Sequence, residues 1–151
     1  MNEETGEFQR VTDTTLGFSR DAAAFLTGAT DAPSTEEIEA IAALPSGSAL
    51  LVVRRGPNAG ARFLLDTNVT AVGRHPDADI FLDDVTVSRR HAQFLRSGSR
   101  FSVRDLGSLN GTFVNGERIG DELALSDSDE VQIGKFRLTF YASRHDLGEG
   151  E

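Results

Sequence analysis

Short apolar and alternating segments follow one another between residues 49 and 141, and turn sequences separate them. The segments are rich in β-branched and aromatic residues, which favour strands, and no helical pattern lies between them. Turns such as Asn110-Gly111 and Asn115-Gly116 have the composition of hairpin connections. Many short strands without intervening helices predict an antiparallel β-sandwich or barrel. The nine predicted strands are 49–53, 62–65, 70–73, 79–82, 91–96, 100–105, 112–114, 131–133 and 136–141.

Residues 34–44 have the pattern of a short helix. Ser34 and Glu37 have the spacing of a capping box, and Ile38, Ile41 and Leu44 recur near the helical period. A helix this short is marginal alone, so it either belongs to a linker or packs on the domain. The polar residues before it bury too little apolar area to offset the entropy of ordering, so we expect a largely disordered arm.

The charge is unevenly distributed. The chain has 15 Lys and Arg against 24 Asp and Glu, a net charge of −9. Residues 1–48 contain nine acids and two arginines, whereas residues 49–141 contain 12 acids and 12 bases. We therefore predict a flexible acidic arm (1–48), a charge-balanced β domain (49–141) and a disordered tail (142–151).

Composition excludes several classes of protein. There is no Cys, so disulfide scaffolds, Cys-based zinc sites and thiol catalysis are excluded. No apolar run is long enough to span a membrane, and the acidic N-terminus lacks the features of a secretory signal. We expect a cytoplasmic protein that does not bind nucleic acid or membranes, and no feature demands more than a monomer.

Four loops between the predicted strands contain candidate binding residues. Each motif is weak alone, but their order and placement between strands form a specific pattern. The motifs are Gly73-Arg74, Ser88-Arg89-x-His91, Asp105-x-Gly107-Ser108-Leu109-Asn110-Gly111-Thr112 and Asn115-Gly116.

This pattern resembles the forkhead-associated (FHA) domain over residues 49–141. The resemblance implies an all-β fold, an eleven-stranded β-sandwich whose loops at one end bind phosphothreonine peptides. A phosphothreonine carries a charge of about −1.5 to −2 and three acceptor oxygens, so its site needs cations and short donors. Arg74 and Arg89 would supply guanidinium groups, and Ser88 a hydroxyl.

The resemblance also implies roles for the remaining motif residues. Asn110 would reach the peptide backbone beside the phosphorylated residue, and the backbone amide of Leu109 would add a donor. His91 and Asn115 would brace the loops through hydrogen bonds to backbone. Gly73 and Gly111 are interpreted as residues required by the backbone conformation.

Enzymatic alternatives have little support in the sequence. Ser88 and His91 suggest a serine hydrolase, but the chain lacks a nucleophile elbow and a convincing third member. His75 and His145 have no partner at ligand spacing, so we expect no metal and no cofactor. We predict that the protein is not an enzyme.

The arm contains a pair of threonines, Thr14 and Thr15, after Asp13 and three residues before Phe18. With the FHA motifs, this is similar to the actinobacterial family of the glycogen accumulation regulator and the oxoglutarate dehydrogenase inhibitor. In that family a Ser/Thr protein kinase phosphorylates the pair, and the phosphorylated arm folds back on its own FHA domain. The chain departs from the family at Asp13, where Glu is usual, and at Leu16 and Gly17, where Ser and Val are usual, whereas Phe18 keeps its position.

The resemblance implies a phosphothreonine-binding regulator. Unphosphorylated, it would bind the E1 component of 2-oxoglutarate dehydrogenase, glutamate dehydrogenase and glutamate synthase, and phosphorylation would switch it off. The alternative is a general phosphothreonine-dependent adaptor in Ser/Thr kinase signalling without tail autoinhibition.

Overall fold

The computed structural model describes residues 32–147. Within them, one helix precedes eleven strands, so the prediction of an eleven-stranded all-β sandwich is confirmed. A short 3-10 turn, Arg144–Asp146, follows the last strand. The elements are α1 (Thr35–Ala42), β1 (Ala49–Arg55), β2 (Arg62–Leu65), β3 (Val69–Gly73), β4 (Ile80–Phe81), β5 (Ala92–Ser97), β6 (Arg100–Asp105), β7 (Thr112–Val114), β8 (Glu117–Arg118), β9 (Glu122–Ala124), β10 (Glu130–Ile133) and β11 (Phe136–Ala142).

The strands form two facing sheets. The five-stranded sheet has the order β9-β6-β5-β3-β4, and the six-stranded sheet has the order β2-β1-β11-β10-β7-β8. Among the described strands only β3 and β4 pair in parallel. Because the antiparallel strands alternate in direction, the end of β3 and the starts of β5 and β7 meet at one end of the sandwich.

The core fills the space between the sheets. Strand β1 shows how the sequence builds it, since its alternate residues Ala49, Leu51 and Val53 face the main core. Large side chains from both sheets fill the remaining volume, and the rings of Phe101 and Phe140 pack with their centroids 5.5 Å apart. Burying these side chains contributes about 1.5–3 kcal/mol each, which is the main source of stability.

Strands β8 and β9 have no counterpart among the nine strands predicted from the sequence. Their residues are all exposed, so neither segment carries the alternation of apolar and polar residues that marks a half-buried strand. Both lie at sheet edges and are held by pairing with β7 and β6 respectively.

Helix α1 packs on the outer face of the six-stranded sheet. Ile41 and Leu44 are buried against Leu50, Val52 and Tyr141, which form a second apolar cluster. The helix begins at a complete capping box between Ser34 and Glu37. Of the two alternatives for residues 34–44, the structure therefore shows a helix docked on the sandwich.

An ion pair fixes the first turn of α1. Arg54 donates to the Glu37 carboxylate at 2.9 Å and to the Tyr141 hydroxyl at 2.5 Å. The hydrogen bonds from Ser34 and Arg54 lower the pKa of Glu37 against the opposing effect of its burial. The guanidinium also lies 5.7 Å from the centroid of the Tyr141 ring.

The residues after β11 contact the segment after α1. Ser143 is fully buried and donates to the carbonyl of Leu44 at 2.9 Å, and Asp146 accepts from the amide of Gly47 at 2.8 Å. Residues 34–48 and 143–147, assigned from the sequence to the arm and tail, therefore contact the sandwich. Residues 1–31 and 148–151, with Thr14 and Thr15, lie outside the described residues.

Candidate functional site

Three loops meet at one end of the sandwich and bring together most of the residues singled out from the sequence. They are the β3–β4 loop (74–79), the β4–β5 loop (82–91) and the β6–β7 loop (106–111). Backbone hydrogen bonds join them, since the amide of Arg74 donates to the carbonyl of Ser88 at 3.0 Å and that of Leu106 to His91 at 3.0 Å. The site is therefore built on rigid strand ends.

Arg74 follows directly after β3 and is exposed. Its Nε donates to the carbonyl of Val87 at 3.1 Å, which orients the guanidinium along the β4–β5 loop. No acidic side chain of the described chain pairs with it. The two terminal nitrogens are therefore available to an anion from outside the domain.

Ser88 connects two of the loops. Its Oγ accepts a hydrogen bond from the amide of Leu109 at 3.0 Å. Because the hydroxyl is used here as an acceptor, its proton can be donated to a ligand. The Leu109 amide, for which the resemblance implies a ligand contact, donates to Ser88 in this structure.

Asn110 is exposed at the tip of the β6–β7 loop, and its Nδ2 donates to the carbonyl of Thr86 at 2.9 Å. Thr86 is itself fixed, because its hydroxyl donates to Asp84 at 2.6 Å and accepts from the amide of Lys135 at 2.9 Å. These hydrogen bonds from Thr86 lower the pKa of Asp84. The Oδ1 atom of Asn110 is left to accept from a peptide amide.

Arg89 extends from the β4–β5 loop beside Ser88 and is exposed, without an acidic partner among the described residues. Its carbonyl lies so close to Gly73 that a Cβ at position 73 would be 2.0 Å from the oxygen. Gly73 is therefore required by close packing rather than by an unusual φ. Gly111, in contrast, has φ +85°, and a Cβ there would also meet Arg118.

His91 is fully buried beneath the loops. Its Nδ1 accepts from the amide of Ser88 at 3.1 Å, and its Nε2 lies 2.9 Å from the carbonyl of Gly111. Burial lowers the pKa of the imidazole, which favours the neutral form. The ring bonds to the backbone of Ser88 and not to its hydroxyl, so this pair lacks the geometry of a hydrolase nucleophile and base.

Asp105 organises the β6–β7 loop. It belongs to the sequence motif, but the sequence alone predicted no role for it. Its carboxylate accepts from the amides of Gly107 and Ser108 and from the hydroxyls of Ser108 and Thr112 at 2.5–3.2 Å. These donors lower its pKa although burial opposes the shift. The signal that could have identified this turn is the Asp that precedes Gly107 by two residues and Ser108 by three, because an Asp side chain often accepts from amides that follow it.

Asn115 lies away from the other motif residues. Strand β7 runs from the site loops to Asn115, which places it about 13 Å along the strand from Gly111. It has φ 52°, donates to Asp129 at 3.0 Å and accepts from the amide of Glu130 at 2.9 Å. These contacts hold the β7–β8 turn against the start of β10.

The chemistry of the site is that of an anion receptor. Arg74 and Arg89 present guanidinium groups that pair with no acid of residues 32–147, Ser88 presents a hydroxyl and Asn110 an amide. The loops that carry them are fixed from beneath by His91 and Asp105. Within residues 32–147 no group of three or more His, Asp or Glu could hold a metal ion. No helix of this part of the chain is long and apolar enough to cross a membrane.

Comparison with known proteins agrees with this geometry. The family model of the FHA domain matches residues 70–134. The glycogen accumulation regulator of Mycobacterium tuberculosis is 56% identical over 85% of this chain and 78% of its own length. The oxoglutarate dehydrogenase inhibitor of Corynebacterium efficiens is 54% identical over 94% of this chain and 97% of its own.

Solved structures share the fold. An FHA domain studied for its phosphothreonine-dependent interactions superposes with a TM-score of 0.57 at 31% identity. The match covers 62% of this chain and 95% of that domain. The fold is thus that of a domain type whose phosphothreonine-dependent interactions have been studied.

Proposed function

The chain belongs to the family of FHA-domain regulators that includes the glycogen accumulation regulator and the oxoglutarate dehydrogenase inhibitor, and from this premise we propose a phosphothreonine-dependent switch. In this switch the loop site binds phosphothreonine, and the protein itself catalyses no reaction. The observation that carries the proposal is that Arg74, Ser88, Arg89 and Asn110 lie on joined loops, where neither guanidinium group has an acidic partner in the part of the chain that the structure describes.

The groups of the proposed site match the charge and the acceptor oxygens of a phosphate. Arg74 and Arg89 offset the dianionic charge, and the Ser88 hydroxyl donates to a phosphate oxygen. Asn110 contacts the peptide backbone through its Oδ1, and the Leu109 amide reaches the ligand only by exchanging its bond to Ser88. His91, Gly111 and Asp105 act by holding the loops. Asn115 has no contact with the ligand in this proposal and stabilises the β7–β8 turn.

We propose that the ligand in the switched-off state is the chain's own arm, phosphorylated on Thr14 or Thr15 by a Ser/Thr protein kinase. Thr15 is 19 positions before Ser34. A random coil of that length has a root-mean-square span of about 22–26 Å, against a radius of gyration near 13 Å for a domain of 100 residues. Such a tether supplies an effective concentration of order millimolar.

The proposed clients are enzymes of 2-oxoglutarate and glutamate metabolism. The names of the relatives refer to oxoglutarate dehydrogenase and to glycogen accumulation. We therefore propose the E1 component of 2-oxoglutarate dehydrogenase as the first client, with glutamate dehydrogenase and glutamate synthase as further ones. A monomer in the cytoplasm, close to these enzymes and the kinase, is part of this proposal.

The test is amide NMR of the full chain before and after kinase treatment, with intact mass to count phosphates. We expect one phosphate on Thr14 or Thr15 and concentration-independent shifts of Arg74, Ser88, Arg89 and Asn110. The Arg74→Ala variant should abolish these shifts while the remaining spectrum stays folded. A Thr14→Ala/Thr15→Ala chain is the control for phosphorylation elsewhere.

Two outcomes would change the proposal. If only arm resonances move but a foreign phosphothreonine peptide shifts the loop residues, the protein is a general adaptor without autoinhibition. If no phosphothreonine ligand shifts the loop residues, the phosphothreonine function itself is wrong.

A further inference from the structure

A second surface lies directly beside the phosphate site. It is a cleft of about 740 Å³, and we call it the basic pocket. It opens between the β3–β4 loop, the β4–β5 loop and the outer face of β5. The residues that the argument uses are His75, Asp77, Arg89, Arg90, Gln93 and Leu106.

The basic pocket begins where the phosphate site ends. His75 follows Arg74 in the chain, and Arg90 stands two residues after Ser88. Neighbouring Cα atoms are 3.8 Å apart, so the Cα atoms of His75 and Arg90 lie within about 4–8 Å of those of Arg74 and Ser88. A peptide held at the phosphate site would bring residues close to its phosphothreonine over this cleft.

The polar groups of the pocket are mainly donors. Arg90 is exposed and, like Arg89, has no acidic partner within residues 32–147. The Nδ1 of His75 accepts from the amide of Asp77 at 3.0 Å, so Nε2 carries the proton and can donate. The one acid of the lining, Asp77, has a side chain that is 92% exposed. Its carboxylate lies 3.7 Å from the Nδ1 of His75, and no acid of residues 32–147 forms an ion pair with Arg89 or Arg90.

Aliphatic groups form the wall of the pocket. Ala71, Val72 and Leu106 line it beneath the polar rim. Such a wall excludes water from one side of a bound carboxylate and strengthens its attraction to the rim. A planar carboxylate with an aliphatic stem matches this combination of apolar wall and guanidinium rim.

We propose that the basic pocket is a carboxylate subsite, which binds an acidic side chain lying a few residues from the phosphothreonine of a peptide ligand. The proposal rests on the proposed function, because the phosphothreonine anchors the peptide beside the pocket. Arg90 and Gln93 are its specificity residues, and neither belongs to the phosphate site. The affinity for the peptide then depends on two anions, its phosphate and a carboxylate.

The chain itself contains peptides of this chemistry. Asp13 directly precedes the threonine pair and Glu7 lies further back, within a segment whose acids outnumber its bases. An acidic partner enzyme could present the same pairing in trans. In both cases the ligand is an acidic peptide segment, and carboxylates beside the phosphothreonine raise its affinity.

A double-mutant cycle tests the subsite on the full chain. The probes are two synthetic peptides of residues 5–20 phosphorylated on Thr14, one with the native sequence and one with Glu7→Gln and Asp13→Asn. Each peptide is also made without the phosphate, and the Arg74→Ala variant is measured in parallel. Fluorescence anisotropy at low salt gives their dissociation constants. We expect Arg90→Gln to weaken the native peptide by about three- to fivefold and to leave the amide peptide nearly unchanged.

Gln93→Glu adds a negative charge to the pocket and should act in the same direction as Arg90→Gln. Arg100→Gln is the matched control, since Arg100 is an exposed arginine that pairs with Ser97 at the other end of the sheet. It should not distinguish the two peptides. Equal loss of both peptides in Arg90→Gln, or no loss, overturns the subsite.

The cycle also separates the subsite from the proposed function. If phosphorylation does not raise affinity but the carboxylates still couple to Arg90, the phosphothreonine function fails and the carboxylate subsite stands. If the phosphopeptide binds through Arg74 without any coupling to Arg90, only the subsite fails. If neither peptide binds, both are wrong.

Discussion

His91 and Gly111 are joined across 20 positions of the chain by a hydrogen bond of 2.9 Å between Nε2 and the carbonyl oxygen. The other ring nitrogen accepts from the amide of Ser88, so one buried imidazole ties the β4–β5 loop to the β6–β7 loop. Only the neutral ring can accept at Nδ1 and donate at Nε2 together. The spacing of the site loops thus depends on a histidine that does not face the ligand.

The first prediction concerns pH. Burial lowers the pKa of His91 from its ordinary value of 6.5. Below pH 6.5 the unfolded chain takes up a proton that the folded chain does not, so the free energy of unfolding decreases as the pH is lowered. The full contribution is present above about pH 6.5 and is lost as the pH falls through the folded-state pKa, at up to about 1.4 kcal/mol per pH unit. Urea unfolding at pH 7.5, 6.5 and 5.5 measures this slope.

The control uses the small number of histidines. The chain has three, so the His75→Gln/His145→Gln double variant keeps His91 as the only one. The slope between pH 7.5 and 5.5 should survive in this variant. Its disappearance would mean that the buried imidazole is not the titrating group.

The second prediction concerns Ser88. Replacing it with Ala removes the ligand donor and leaves the Leu109 amide without its acceptor. We expect phosphopeptide affinity to fall by about tenfold or more, since a hydrogen bond to a charged group contributes about 1.5–3 kcal/mol. Titration calorimetry measures the loss. Ser102→Ala, which removes a hydroxyl bonded to Glu122 away from the site, should bind normally; unchanged binding by Ser88→Ala would remove it from the site.

The third prediction compares two glycines. Gly73→Ala would place a Cβ 2.0 Å from the Arg89 carbonyl, so the loop must shift and the free energy of unfolding should fall by about 1–3 kcal/mol. Gly120 has open space around its Cβ position and no positive φ, so Gly120→Ala should be neutral or stabilising by up to about 1 kcal/mol. Urea unfolding ranks the two variants. Equal free energies of unfolding in the two variants would show that the β4–β5 loop can shift away from the new Cβ without a cost in stability.

The fourth prediction uses Tyr141, the only Tyr in a chain without Trp, as a fluorescent probe of α1 docking. Ile41 is 4% exposed and packs beside this ring. Ile41→Ala should release the helix and change the tyrosine fluorescence at urea concentrations where the sandwich remains folded. Ile38→Ala alters the same helix at a residue 53% exposed and should leave the signal unchanged. A single unfolding step in Ile41→Ala would show that the helix and sandwich unfold as one unit.

The strands that face a core could be predicted from the sequence, and those at the edges could not. In β5 and β6 the alternation of buried and half-exposed residues is already present in the residue types. Strands β8 and β9 are held by backbone pairing and, in β9, by the bonds of Glu122 to Ser102 and Arg104. Their sequences contain nothing that distinguishes them from a loop. The sequence left the docking of α1 open. The continuous apolar run of β1, with Leu50 and Val52 on its outer face, is typical of a strand covered on both faces, but it does not identify the covering element.

The grouping of the site residues followed from the motif, but their individual contacts did not. Arg74, Ser88, Arg89 and Asn110 lie on the three joined loops, as expected for residues placed at strand ends. The engagement of the Leu109 amide by Ser88 could not be predicted, because it depends on how two loops approach in space. The basic pocket could not be predicted either, because Gln93 and Leu106 are brought close to Arg90 only when the strands pair.

Short edge strands have a consequence for the kind of ligand this domain can accept. Each of the two sheets ends in strands of only two to four residues. A long strand from another chain therefore finds little unpaired backbone to extend, which protects against β-augmentation and edge-to-edge aggregation. Ligands must then be selected by their side chains and charges at the loops. Segments with unrelated backbone conformations can compete for one surface if they present the same anions.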